Sequence, residues 1–443
     1  MGMPDASLVV DTRSALRTHV RWYVVAMLFL VSFLTIVDRV AISAAKNDMA
    51  AELGISDLMF GWVFGMFALG YALVQIPAGW LADRYGPRLF LCSMVVLWSL
   101  FTGATGLVYG VASLLLIRFL FGMAEAGAYP GASRAFYPWL PRSERGFAQG
   151  ILFTGSRLGA AFGLFLMPLL IINAGWRASF LILAVVGFVW AAIWYGWFRD
   201  YPADKKGVGR PELVLIQKDY PDEPTETAKV LKVPWRSLFF SSNSLLLMVQ
   251  YFASNFTFFI CFSWLLPYLT QEYALSVAEA GMYASIPLYF GAVANWVSGI
   301  AVDYIYRRNR WRLSRLFPAI FGFSLAVVSL IAVANMSTVW GAVICFALAT
   351  FGVDLTLSPS WSTCIDIAGP LTGTLSGGMN MVGNLGSFVS TLAFPYLLSL
   401  TGSASSYFYV AASLNIIAIV CWLAIRPERP VAMKMPVSVI AES

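Results

Sequence analysis

The sequence predicts an all-α integral membrane protein of twelve transmembrane helices, in two pseudo-symmetric six-helix bundles with both termini cytoplasmic. Three observations carry that expectation. The 443 residues are 59% hydrophobic and only 12% charged, whereas a soluble domain carries about a quarter of its residues as Asp, Glu, Lys or Arg. Twelve apolar runs of helical length divide the chain, and a short motif returns at the same place in each half.

In chain order, residues 1–21 are polar and read as a cytoplasmic segment; they lack the features of a cleavable signal peptide. Apolar runs then lie at 22–45, 58–82, 89–109, 111–135, 147–172 and 175–198. Each is long enough to cross about 30 Å of hydrocarbon as a helix, and a lone segment in lipid must be helical to satisfy its backbone. These six form an N-terminal bundle, 22–198. Residues 199–243 are rich in Lys, Asp, Glu and Pro and read as a cytoplasmic linker. Runs at 244–271, 281–304, 316–335, 339–362, 372–398 and 404–425 form a C-terminal bundle, 244–425, followed by a cytoplasmic tail, 426–443. With this topology 24 of the 29 Lys and Arg fall on the inner side, as the positive-inside rule requires.

Composition excludes several function classes. Disorder and disulfide scaffolds need less hydrophobicity or denser cysteine; the five cysteines lie in or beside apolar runs without metal-ligand spacing. The net charge of +6 is confined to polar gaps and builds no basic face, so no nucleic-acid partner is expected. His19 is the only histidine, which argues against metal chemistry and, with no nucleophile–base set or nucleotide loop, against an enzyme. No cofactor or metal is expected.

The halves echo one another. Gly79-Trp-Leu-Ala-Asp83 follows the second run and Gly299-Ile-Ala-Val-Asp303 the eighth, 220 residues later, with Arg88 and Arg308 five residues after each Asp. At that offset the echo reads as an internal repeat. The architecture and the segment GWLADRYGPRLF (79–90) resemble the major facilitator superfamily. Within it, DRVAISAA (38–45), YALVQIPAGWLADRYG (71–86), RFLFGMAEAGAYPG (118–131) and MNMVGNLGSF (379–388) are similar to the anion:cation symporter family.

Six ionisable groups lie inside the expected spans: Asp38, Arg39, Arg118, Glu125, Arg157 and Asp354. Such groups are costly in lipid and face the bundle interior or a cavity. Asp38 and Arg39 are adjacent, so they point about 100° apart. Arg118 and Glu125 share a face two turns apart, too far for a direct pair along the axis. The resemblance implies that Glu125 and Asp38 carry the coupling proton and that Arg39 grips a substrate carboxylate. Arg118 is expected to orient Glu125 and Asp38, with direct anion contact as its other use. Arg157 sits in Gly155-Ser-Arg-Leu-Gly159 and either suits a dianion or neutralises a protein carboxylate. Asp354 is either a second coupling site or a gate.

Tyr71 and Gln75, one turn apart, suit a polyhydroxylated ligand, and Asn255, Trp361, Asn380 and Asn384 are the C-terminal candidates for the same pocket. The alternative for these polar groups is helix–helix hydrogen bonding. Asp83 and Arg84, with Arg88, Asp303 and Arg308, are expected to hold the inner ends of the halves together.

The expected function is proton symport of a small organic anion, a sugar acid above all, by a monomer that alternates access in the bilayer of a bacterial inner membrane. The other readings are a facilitator or antiporter of an aromatic or other carboxylate, and a non-transporting membrane sensor. Ile36 keeps aromatic substrates open, because the resemblance to galactonate-type carriers implies a Tyr there.

Overall fold

The computed structural model describes residues 18–218 and 234–430, and it is helical almost throughout. The N-terminal half comprises α1 (Val20–Leu53), α2 (Asp57–Tyr85), α3 (Pro87–Thr105), α4 (Val111–Glu125), α5 (Ala128–Trp139) and α6 (Arg145–Trp197). The intervening polar stretch carries α7 (Arg210–Gln217) and α8 (Trp235–Phe240). The C-terminal half comprises α9 (Ser242–Ser263), α10 (Leu265–Glu272), α11 (Val277–Arg307), α12 (Trp311–Val333), α13 (Val339–Leu355), α14 (Leu357–Ala368), α15 (Thr372–Thr401) and α16 (Ser405–Ala424). Among the described residues, nine helical stretches are long and apolar enough to cross a membrane.

Glycine and proline account for the departures from the expected runs. α6 joins two of them and turns at Gly175, whose φ of 78° is a left-handed conformation open to glycine. Three expected spans, 111–135, 244–271 and 339–362, are each broken in two, between α4 and α5, α9 and α10, and α13 and α14. Pro130, Pro267 and Pro359 are each the third residue of the helix after the break. That is the first helical turn, where a missing N–H costs nothing. At the last break the Leu355 carbonyl, left without its intrahelical donor, accepts a hydrogen bond from the Ser298 hydroxyl on α11. α1 runs past the expected boundary at 45 as far as Leu53, because Glu52 is held by the Trp176 indole and the Arg177 guanidinium.

The outer wall exposes Ile172, Phe165 and Val328 at 79%, 67% and 66%. Faces of that kind are stable against lipid. Between the halves, α2 packs on α15 and α6 on α11. At the end that carries the polar linker, one continuous core unites both halves, from Val24 and Trp194 to Trp361 and Trp422. At the opposite end the core divides: one cluster holds Val37, Phe60 and Phe180 of the N-terminal half, another Phe256, Phe346 and Phe408 of the C-terminal half. The halves are therefore closed together at the linker end and packed separately at the other.

The linker is docked on the N-terminal half. Glu212 on α7 accepts from the Thr18 hydroxyl and from the Val20 and Arg21 amides at the start of α1, while Arg21 also pairs with Glu144. Burial pushes the Glu212 carboxyl up, but the bonds from Thr18, Arg21 and Val20 outweigh it and hold the group below its ordinary range. A lowered carboxylate contributes its stability above the unfolded value and loses it as pH falls through the folded one. The α7 dock is expected to persist at neutral pH and to loosen only in acid below the usual carboxylate range.

Candidate functional site

The intramembrane charges gather where α4 breaks. Glu125, the last residue of α4, is fully buried and accepts from Arg39 Nε of α1 at 2.6 Å. The Arg39 guanidinium also lies over the rings of Tyr71 and Phe67, 4.5 and 5.2 Å from their centroids. Arg118 lies between Phe67 and Phe121, at 5.0 and 4.7 Å. Phe67 thus faces both guanidiniums, and its ring screens two like charges that would otherwise repel. Asp38 points instead toward Trp98 and Thr102 on α3, within electrostatic reach of Arg118. The 100° divergence of Asp38 and Arg39 is realised as two different neighbours. The hydrogen bond that holds Glu125 comes from Arg39, while Arg118 acts on Glu125 and Asp38 through its charge. Glu125 stands at the helix end and reaches α1, whereas Arg118, two turns back, is enclosed by rings.

Arg157 pairs with a protein carboxylate. Its Nε and Nη2 bond both oxygens of Asp354 on α13, at 3.1 and 2.6 Å, and its guanidinium sits 4.0 Å above the Phe258 ring. Asp354 fits into a notch at Gly291, where a Cβ would collide with the carboxylate. Gly155 and Gly159 pack against the backbone carbonyls of Phe29 and Phe33, which turns Arg157 inward from α1 toward the C-terminal half.

The expected polar pocket residues divide into two groups. Tyr71 accepts from Asn380 Nδ2 across the halves at 3.2 Å, and Gln75 is wholly buried beside them with both amide atoms unpartnered. Asn384 and Asn255, by contrast, each donate to a carbonyl of their own helix, that of Asn380 and of Tyr251. Trp361 is fully buried, bonded to the Tyr251 hydroxyl and packed on Phe153 and Tyr129. It forms a floor joining the two halves and offers no face to a ligand in this state.

At the linker end the repeated motif builds two mirror-image joints. Asp83, at the end of α2, accepts from the Gly373 and Thr374 amides at the start of α15. Asp303, at the end of α11, accepts from the Gly146 and Phe147 amides at the start of α6, at 2.9 and 2.8 Å. In both, a carboxylate of one half caps a helix N-terminus of the other, where free N–H groups and the helix dipole favour an anion. The neighbouring arginines take no part in these joints. Arg84 is exposed over Trp80 and Tyr85, Arg88 binds Asp200 and Tyr195 of its own half, and Arg308 folds onto Tyr304. Arg84, next to Asp83 on α2, points about 100° around from it, while Arg88 already lies on α3 and Arg308 just past the end of α11.

Sequence reasoning missed the centre of this closure. Asp366 on α14 accepts from Arg145 of the other half at 2.8 Å and from Arg315 at 3.0 Å, all three side chains fully buried. The tenth apolar run ends at 362 by hydropathy, which leaves Asp366 in a polar gap of the sequence. The one available signal was its separation from Arg145, 221 residues, close to the repeat offset.

Close approach makes the closure sensitive to volume. A Cβ at Gly79 would meet the Gly373 carbonyl well inside contact distance. Gly79→Ala is expected to shift the balance of states away from linker-end closure by roughly tenfold, since packed interfaces do not deform continuously. Spin labels at the exposed positions 84 and 308 would report it as a longer distance; an unchanged distribution would refute it.

Comparison with known proteins agrees with this architecture. The model of the Major Facilitator Superfamily matches residues 28–391. A probable sulfoacetate transporter of Cupriavidus necator is 32% identical over 412 residues, 93% of this chain and 95% of that protein. A probable galactarate/D-glucarate transporter of Bacillus subtilis is 29% identical over 439 residues, 96% of each chain. Among solved structures, the proton:xylose symporter XylE bound to 6-bromo-6-deoxy-D-glucose superposes with a TM-score of 0.73 at 12% identity, covering 91% of this chain and 95% of that one.

Proposed function

This chain belongs to the Major Facilitator Superfamily, a family of multi-pass membrane transporters and not of enzymes, and from that premise we propose that it imports a small organic anion by proton symport. The substrate is a sugar acid (aldonate, hexuronate or aldarate) or an acid of similar size and charge. The named relatives carry sulfoacetate or galactarate and glucarate, according to their descriptions. In this reading twelve spans cross a bacterial inner membrane, both termini and the linker are cytoplasmic, and the linker-end closure is the outward-facing state of a monomer.

The Arg39–Glu125 pair is the observation that carries the reading. Glu125 holds Arg39 through Nε, and a substrate carboxylate that takes the Nε/Nη2 fork competes with it. An ionised carboxylate left unpaired in a dry site takes up a proton. Binding of the anion and of the proton are thereby linked through one arginine, and Asp38, near Arg118, is a second acceptor in the same cluster.

Addition of glucarate or sulfoacetate to lightly buffered proteoliposomes tests the coupling. Symport alkalinises the external medium; a facilitator or antiporter of the same anion does not. Arg39→Lys keeps the charge but loses the fork, and uptake at limiting substrate is expected to fall by about 100-fold. Arg39→Ala with undiminished uptake would remove the carboxylate-gripping role.

A further inference from the structure

Among the three intramembrane arginines, Arg118 is enclosed, while two keep an accessible edge. The side chains of Arg39 and Arg157 are 24% and 16% exposed, and their partners Glu125 and Asp354 only 0% and 2%. Each arginine thus keeps more exposed surface than the carboxylate it pairs with. Arg39 Nη2 has no hydrogen-bond partner although it is buried. The Asp354 pair occupies Nε and Nη2 of Arg157, which leaves the Nη1 edge and its two donors. Both arginines belong to the N-terminal half. Gly155 and Gly159 pack on the carbonyls of Phe29 and Phe33, so Arg157 lies level with the middle of that turn of α1. Arg39 is about eight residues further along, or roughly 12 Å at the helical rise.

We propose that Arg39 and Arg157 are the two ends of a single site for a dianion, with Asp354 as the resident anion that the substrate's second charged group displaces from Arg157. The inference rests on the reading of the chain as an organic-anion carrier and adds the substrate class. A backbone offset of about 12 Å along α1 suits a dicarboxylate with a backbone of roughly four to six carbons, each carboxylate on one fork. A monoanion occupies Arg39 alone and leaves the Arg157–Asp354 pair in place. Because Asp354 belongs to the C-terminal half, a dianion also cuts an ion pair between the halves as it binds, which a monoanion does not.

Binding to the purified full-length protein, measured by calorimetry for two matched pairs of acids, tests this: glucarate against gluconate, and adipate against hexanoate. In the wild type each dianion is expected to bind at least about tenfold more tightly than its monoanion. Arg157→Gln combined with Asp354→Asn removes both charges without stranding one. It is expected to bring each ratio close to one while gluconate binding stays within about twofold. Asp354→Asn alone removes the competitor and is expected to tighten glucarate by about threefold or more, leaving gluconate unchanged. Equal binding within each pair by the wild type overturns the dianion site and leaves the carrier reading standing, as does a double variant that keeps the preference or weakens both acids alike. A wild type that binds none of the four acids overturns both.

Discussion

Glu125→Gln is expected to exchange substrate across the membrane and fail to concentrate it. Glutamine keeps an oxygen for Arg39 Nε, now 2.6 Å from the Glu125 carboxylate, and mimics its protonated form. The arginine is then no longer contested by a charge, so substrate binding survives and loses much of its dependence on pH. What is lost is the titration. If a proton helps the substrate bind, the substrate raises proton affinity by the same factor, and a side chain that cannot titrate has no such factor to transmit. With one proton per substrate, a pH difference of one unit supports about a tenfold gradient; in the Gln protein the ratio should fall to unity. Counterflow and pH-driven accumulation, measured in the same liposomes, separate the two steps. Accumulation at the wild-type level would show that the proton travels elsewhere, with Asp38 and then Asp354 as the next candidates.

Loss of the Asp366 charge is expected to be the most destabilising single change at the linker end. Its carboxylate receives Arg145 at 2.8 Å, Arg315 at 3.0 and 3.1 Å and the Trp311 indole at 3.2 Å. Asp366→Asn keeps the volume but leaves two buried guanidiniums facing a neutral amide. Breaking a buried pair from one side costs about 3–5 kcal/mol, a fall in Tm on the order of 3–5 °C for a chain of this size. Because Arg145 and Asp366 lie in different halves, the same change should also open the linker end. Thermal unfolding in detergent and the 84–308 label distance read the two effects separately. A variant with an unchanged Tm and distance would show that the burial of these charges matters less than their mutual geometry suggests.

Hydrophobic length and turn residues made the helices legible before any coordinates. Gly175 opens the sixth run because a left-handed residue is needed there, and the Asp83/Asp303 echo marked both joints between the halves. Three features were hidden for different reasons. The breaks after Glu125 and Leu355 follow from proline in the next turn, but an unbroken apolar run does not say whether a proline bends a helix or ends it. Partner choice was hidden because Arg39 and Glu125 are 86 residues apart, and a helix period fixes only which face a side chain leaves, not which helix it meets. Asp366 was hidden because polar residues near a span end look like tether, whereas here two arginines make burial affordable.

The mirror-image joints at Asp83 and Asp303 have a genetic consequence. Their donors are mainly backbone amides, those of Gly373, Thr374, Gly146 and Phe147, with the Thr374 hydroxyl a side-chain donor across the halves. A backbone amide cannot be altered by a codon change other than to proline. Each joint therefore keeps its donors through any codon change but proline, although a side chain added at Gly373 or Gly146 would collide with the aspartate it caps. A screen for revertants of Asp83→Asn or Asp303→Asn should accordingly recover no allele-specific changes at the donor positions. Suppressors should fall instead at distant sites that disfavour the opposite orientation, and each should rescue both mutants alike.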